Sequence, residues 1–416
     1  MSKTWMLCAA LALVACKKSD KTEGGAAPAA TVAAAGSNAG SAAAQLPGAA
    51  AVAAKIDEAK AVVGGANKPA LTAEAYEAGI LGLADCKVVG ADIDPQCPGK
   101  LALDELRKNS STPLKDMAGM SATLGQKLIG HASPAVRVKA AQLMGSVFGS
   151  SDTSQQVVVD AAAKETDSGA LQAMIRTVAN SGAKNPAVGA MLLAAADHAD
   201  AEVRKQAIYA LSSGWNRELA GGADKLAALI DKDPDPEVRT AACERAGGLG
   251  TPSLVSTYEK HTASTDDAKL YAACMKGLVT MFFDYPLFET SNQAAYKLFL
   301  KRLGAPPVGE ISPPWMVTSM FSNYADEGKN AAFTKTLDAW RAKAPWFDAA
   351  ALRKALAAIV ANKAVYWMAR TGALKSLVGL GATKAEIEAL KKGYDPANRD
   401  DAHVMRNFDD AIAKAK

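Results

Sequence analysis

Ser133-Pro134-Ala135-Val136-Arg137, Asp200-Ala201-Glu202-Val203-Arg204 and Asp235-Pro236-Glu237-Val238-Arg239 are three versions of one pentapeptide. Each is followed by an alanine four residues after the valine: Ala140, Ala207 and Ala242. Two weaker copies fill the gaps. Leu171 with Ile175 and Val178 stands between the first and second, and Leu270 with Cys274 and Leu278 follows the third. The anchor positions 136, 171, 203, 238 and 270 are spaced 35, 32, 35 and 32 residues apart. A period of this size implies supersecondary units that cannot bury their apolar faces alone and stack into a solenoid.

Within each unit the apolar residues recur at i, i+4 and i+7 or i+8, one face of a helix. A second helical pattern follows each first one, at residues 155–164, 186–196, 223–230 and 252–260. Pro186 and Pro252 fall where a first helical turn tolerates proline. Gly145, Gly182, Gly214 and Gly250 stand near the ends of first helices, as stop signals do. The unit is therefore helix, turn, helix. Composition agrees. The chain has 90 alanines, and aromatics make up 6% of its 416 residues. Alanine favours helix over strand and lets helices approach closely. An all-β fold is excluded, and scarce Val/Ile runs argue against a parallel α/β sheet.

Asp233-Pro234-Asp235-Pro236-Glu237-Val238-Arg239 resembles the turn that opens a first helix in the HEAT-repeat family, specifically its short bacterial form, which also occurs in phycobiliprotein lyases. His131, His198 and Thr166 stand in for the leading aspartate in other copies. The likeness is strong over 130–280 and weaker over 55–130 and 280–416. Asp401-Ala402-His403-Val404-Met405-Arg406 reads as a late first helix. The resemblance implies a right-handed all-α solenoid that binds other proteins. It does not carry the lyase activity, because short HEAT repeats occur in many proteins without it.

The first residues read as an address. Lys3 precedes an apolar run from Trp5 to Ala15, too short for a spanning helix and of signal-peptide length. The run ends in Leu13-Val14-Ala15-Cys16, which resembles the bacterial lipobox. That likeness implies cleavage before Cys16 and acylation of its sulfur and new N-terminus, a stable anchor when several acyl chains insert. Lys17 in place of aspartate then favours the outer membrane, facing the periplasm. Residues 17–50 are Ala, Gly, Ser and Pro with almost no large apolar group, too little to offset ordering entropy. They read as a disordered tether holding the body roughly 30–35 Å from the membrane.

Four cysteines remain beyond Cys8 and Cys16. Cys86 and Cys97 flank a loop-like run, 88–95, and an exported chain makes them a disulfide candidate worth roughly 2–3 kcal/mol. For Cys243 and Cys274, on helical segments, a bridge and two buried thiols are equally open.

The chemistry-bearing patterns are sparse. Asp231, Asp233 and Asp235 alternate as in a calcium loop, but that loop needs Gly and Glu where Pro236 and Ala242 stand. Helix capping explains these acids better. The four histidines make no HExxH pair, no phosphate-binding or nucleophile-elbow motif is present, and no cofactor or metal is expected. A formal charge of +4 with no basic run is not the footprint of a nucleic-acid binder. Of the 24 aromatics, 16 lie between Tyr271 and Trp367. Most such rings fill a less regular core; as a binding patch, Phe282, Phe283, Tyr285, Trp315, Trp340 and Trp346 are the candidate partner-binding residues.

The sequence thus predicts a signal peptide at 1–15, a lipidated Cys16 and tether at 16–50, an N-terminal helical segment at 51–130, HEAT-like repeats at 131–280 and an aromatic-rich continuation at 281–416. The expected role is a non-enzymatic scaffold or adaptor for a protein or peptide partner in the bacterial envelope. The alternatives are an envelope enzyme or maturation factor working through the C-terminal half, and a structural spacer.

Overall fold

The structure is a computed structural model that describes residues 68–111, 114–145, 152–284, 287–305, 321 and 331–416. The predicted signal peptide, Cys16 and the tether lie outside the described residues, as do Tyr285 and Trp315. The described chain opens with α1 (Ala73–Leu81), a hairpin of β1 (Val88–Val89) and β2 (Asp92–Ile93), α2 (Pro98–Lys108) and α3 (Leu114–Leu128). Five helix pairs follow: α4 (Pro134–Gly145) with α5 (Asp152–Ala162), α6 (Ser168–Val178) with α7 (Pro186–Ala195), α8 (Ala201–Leu211) with α9 (Gly222–Lys232), α10 (Pro236–Ala246) with α11 (Leu254–His261), and α12 (Ala268–Phe282) with α13 (Gln293–Leu303). The C-terminal part holds α14 (Ala331–Lys343), α15 (Ala349–Ala361), α16 (Trp367–Gly379), α17 (Lys384–Lys391), α18 (Arg399–Met405) and α19 (Phe408–Lys414).

The pairs stack in two layers, an all-α solenoid. First helices pack on first helices: α4 on α6, α6 on α8, α8 on α10, α10 on α12. Second helices pack likewise, α5 on α7, α9 on α11 and α11 on α13. The repeat signature explains the contact. Val136, Val203 and Val238 and the alanines four residues on, Ala140, Ala207 and Ala242, are all fully buried. First helices after α4 begin at an aspartate N-cap: Asp167, Asp200, Asp235 and Asp267 each accept a backbone N–H of the first turn. That role accounts for Asp235 among the acids that alternate before α10; Asp233 accepts from Arg204, and Asp231 meets Lys260 and His261.

Small residues set the spacing. A Cβ on Gly247 would come within 2.0 Å of the Gly277 carbonyl oxygen, and one on Gly277 within 2.2 Å of the Cys243 oxygen. Here α10 and α12 meet backbone to backbone, and Cys243 and Cys274 are joined as a buried disulfide with Cα atoms 4.8 Å apart.

The segment before the repeats is more ordered than a loop. Val88 pairs with Ile93 and Val89 with Asp92, and Gly90 turns the chain at φ +58°. Cys86 and Cys97 close this hairpin, with Cα atoms 5.6 Å apart. Gln142 of α4 and Arg176 of α6 both donate to the Asp92 carboxylate, and a Cβ on Gly169 would stand 2.3 Å from Val88 Cγ1. The hairpin therefore sits on the first layer at its N-terminal end. In the C-terminal part α15 packs on α16, α16 on α18 and α17 on α19; the late echo at 401–406 falls mostly in α18, whose N-cap is Asn398 rather than Asp401.

Candidate partner-binding surface

Three of the aromatic candidates are interior. Phe282, Phe283 and Trp340 are buried, with Phe299, Phe321 and Phe288 around them. Phe283 meets Phe288, Phe321 and Trp340 at centroid distances of 5.1, 5.0 and 5.1 Å. Trp346 is half-buried against Tyr296 and Trp340. A surface patch on Phe282, Phe283 and Trp340 is therefore corrected: these rings are the core that fills the bend after α12. Trp340 also holds that bend, since its Nε1 donates to the carbonyls of Phe282 at 2.9 Å and Thr290 at 2.8 Å. Asp284 accepts from the Thr290 N–H, and burial pushes its carboxyl above the ordinary range. Phe288 sits at φ +53°, a costly backbone for a bulky residue, held there by its ring contacts with Phe283 and Trp340.

The repeat motif's arginine has a precise structural use. It is the fourth residue of α4, α8, α10 and α16: Arg137, Arg204, Arg239 and Arg370. Arg137 donates to the His131 and Ala132 carbonyls of the turn before its own helix and, through Nε and Nη2 at 2.7 and 2.6 Å, to Glu165 of the turn before the next first helix. Arg204 repeats the arrangement with His198, Ala199 and, at 2.8 Å twice, Asp233. Arg370 binds the Val365 carbonyl and, at 2.8 Å, Asp401. Burial works against the charged form of Asp401, but bonds from Lys363 and Arg370 hold its carboxyl down at about 2. Burial likewise opposes Glu165, and Arg137 with the Asp167 and Thr166 N–H groups keeps it below its ordinary value.

These clamps fix the turn register. Asp233 and Glu165 each accept the N–H two residues on, and the Nδ1 atoms of His131 and His198 do the same at 3.1 and 3.0 Å. The residue equivalent to Asp233 in the second unit is therefore Glu165, not Thr166, which corrects the sequence alignment by one. The histidines keep the turn role expected of them.

Two units lack the arginine: α12, with Tyr271 in its place, and α6. Leu171 occupies the arginine's place in α6, and the next turn carries His198 rather than an acid. An open cleft of about 620 Å³ lies at this point. Val159 and Ala162 of α5 form one wall, and Ala187, Ala190, Met191 and Ala194 of α7 the other. Leu171 lines it between them, and Glu165 and His198 also line it. Facing alanines on α5 and α7 leave the space, and Leu171 puts no guanidinium into it. The lining is apolar with two polar groups, both already bonded to their own turns. It suits an aliphatic or methionine side chain and holds no poised nucleophile–base pair. Among the described residues, no group of three or more His, Cys, Asp and Glu side chains is arranged to hold a metal ion.

Sequence reasoning missed a second surface feature. Trp215 is 56% exposed, on a short turn that Asn216 locks in place: its Nδ2 donates to the Ala179 and Ala210 carbonyls and its Oδ1 accepts from Ala183 N–H. Lys184 lies 5.5 Å over the indole. The aromatic clustering of the sequence pointed away from this isolated ring.

The family model of HEAT repeats matches residues 121–212 and 189–279, which includes the cleft and well under half of the chain. No curated protein matches the chain. This part is a run of HEAT repeats, a fold that typically serves as a non-enzymatic scaffold and generally mediates protein–protein interaction.

Proposed function

We propose that this HEAT-repeat chain is an adaptor of the bacterial cell envelope. It is anchored through Cys16, at the outer membrane and facing the periplasm, and it binds a protein or peptide partner without catalysis. The observation that carries the binding role is the apolar cleft between α5 and α7, lined by Leu171, which stands in α6 where the arginine stands in α4, α8 and α10. A partner side chain of aliphatic or methionine type fits it, with its backbone running past Glu165 and His198. Apolar anchors in well-packed pockets supply most of the energy of such interfaces. The lipobox-like Leu13-Val14-Ala15-Cys16 and the Ala/Gly/Ser tether support the address.

Two experiments test the two halves separately. A photo-crosslinking residue at Ala190, in cells, is expected to give one discrete adduct that the same residue at the exposed Leu101 does not give; identical adducts or none overturn the cleft as the binding site. Cys16→Ser is expected to move the protein to the soluble fraction, and retention on the membrane overturns the anchor.

A further inference from the structure

The arginine clamps and the cleft are two versions of one seat. Arg137 and Arg204 each donate through Nη1 to two carbonyls of the turn before their own helix, at 2.7 to 2.9 Å. Those carbonyls belong to His131 and Ala132, and to His198 and Ala199. Nε and Nη2 then meet an acid of the following turn, Glu165 or Asp233. The seat lies between two successive turns and holds a cation. In the unit of α6 both halves change. Leu171 stands at the arginine's place, and His198 stands where Glu165 and Asp233 stand in their turns. The matching carbonyls of this unit are those of Glu165 and Thr166, and among the described residues nothing donates to them. Glu165, Leu171 and His198 all line the cleft, so the cleft lies where this unit's clamp would be.

The polar groups that remain there are uncharged or already taken. The Glu165 carboxylate is held by Arg137 and by the Thr166 and Asp167 N–H groups. His198 Nδ1 accepts the Asp200 N–H at 3.0 Å, as Asp233 accepts that of Asp235 at 2.9 Å. A ring nitrogen that accepts carries no proton, so the neutral imidazole holds its hydrogen on Nε2. Among the described residues Nε2 has no partner, and with Nδ1 committed to its own turn it is the ring's remaining donor. A charged seat has become a neutral one, with an N–H donor from one turn and carbonyl acceptors from the other. We propose that His198 sets the partner's chemistry: the cleft takes a methionine of an extended, uncharged peptide segment. The flexible thioether lies against the alanines of α5 and α7, and a peptide carbonyl of the segment accepts from His198 Nε2. A peptide N–H of the segment meets the Glu165 or Thr166 carbonyl. An arginine is rejected because no free carboxylate compensates it, and a glutamate because the carbonyls and the Glu165 carboxylate oppose it. This inference rests on the reading of the cleft as the binding site.

The test uses the full chain with a photo-crosslinking residue at Ala190 and three blocked peptides. These are acetyl-Gly-Met-Gly-amide and its arginine-centred and glutamate-centred analogues, with adducts measured by mass spectrometry at pH 8. The methionine peptide is expected to give about fivefold more adduct than either charged one. His198→Asn can still accept the Asp200 N–H and donate into the cleft, and should keep the methionine adduct at the wild-type level. His198→Asp keeps the turn bond, as Asp233 does in its own turn, but donates nothing. It should lower the methionine adduct about fivefold and make the arginine peptide the preferred one. Leu171→Arg combined with His198→Asp rebuilds the neighbouring clamp, and should abolish every adduct while raising the thermal midpoint. If His198→Asn and His198→Asp behave alike, or the charged peptides match methionine in the wild type, the proposal is overturned while the cleft still binds. Adducts no greater than those formed with the crosslinker at Leu101 overturn the cleft as a binding site as well.

Discussion

The repeat stack and the aromatic bend behind it solve the same packing problem with opposite materials. From α4 to α12 the interior is small: Ala140, Ala207, Ala242 and Gly277 let helices approach until backbones touch. Small side chains bury little area each. The stack recovers specificity from polar clamps, the arginines that tie one turn to the next. After α12 the period fails, the gaps between elements widen, and six or more rings fill them. There the polar ties are few and local, the Trp340 indole on two carbonyls and Asp284 on Thr290. Regular spacing permits small residues; irregular spacing demands large ones.

The largest expected effect tests the aromatic side. Trp340→Ala removes a fully buried ring and two hydrogen bonds, and should cost about 4–5 kcal/mol in urea unfolding. A cost near 1 kcal/mol would mean the bend is loosely filled and the contrast is false. Next comes the covalent tie in the stack. Replacing both Cys243 and Cys274 by alanine should cost roughly 3–4 kcal/mol, given a separation of 31 residues.

The clamps sharpen the comparison, because one of them lies beyond the bend. Asp233→Asn and Asp401→Asn each leave a buried guanidinium short of its charge partner and should cost about 3 kcal/mol. Similar costs would show that α16 and α18 are a true repeat; a much smaller cost at Asp401 would set the C-terminal part apart. Asp401 adds a pH signature. Its folded pKa lies below the unfolded value, so its contribution is complete above about pH 4 and is lost as pH falls towards 2. Asp401→Asn should flatten the acid end of the stability curve, as followed by helical circular dichroism. The smallest effect is expected in the cleft: Ala190→Trp adds bulk at an exposed position and should change stability by less than about 0.5 kcal/mol while blocking partner adducts.

The stack was legible because its period is written in the chain. Val, Arg and Ala recur at fixed offsets, and the aspartate caps stand beside them. The clamp was only half legible: Arg204 lies inside the motif, but its acid lies 29 residues away in the next turn, beyond any local pattern. The same distance hid the cleft, which arises from alanines on α5 and α7 that meet only after stacking. The aromatic cluster was visible as composition, but composition does not say which way a ring points. Burial of Phe282 and Phe283 follows from where the chain bends, and the pattern there carries no period from which to read it.

The Cys243–Cys274 bridge gives the stack a mechanical property. Repeat arrays yield unit by unit when pulled from their ends, since each contacts only its neighbours. The bridge removes one unit from that sequence. The residues it encloses add no length under tension, so a chain pulled from its two ends would extend about 10 nm less than its residue count allows, at about 3.5 Å per residue, until a reductant cuts the bond. A single-molecule extension trace should gain that length in one step on reduction.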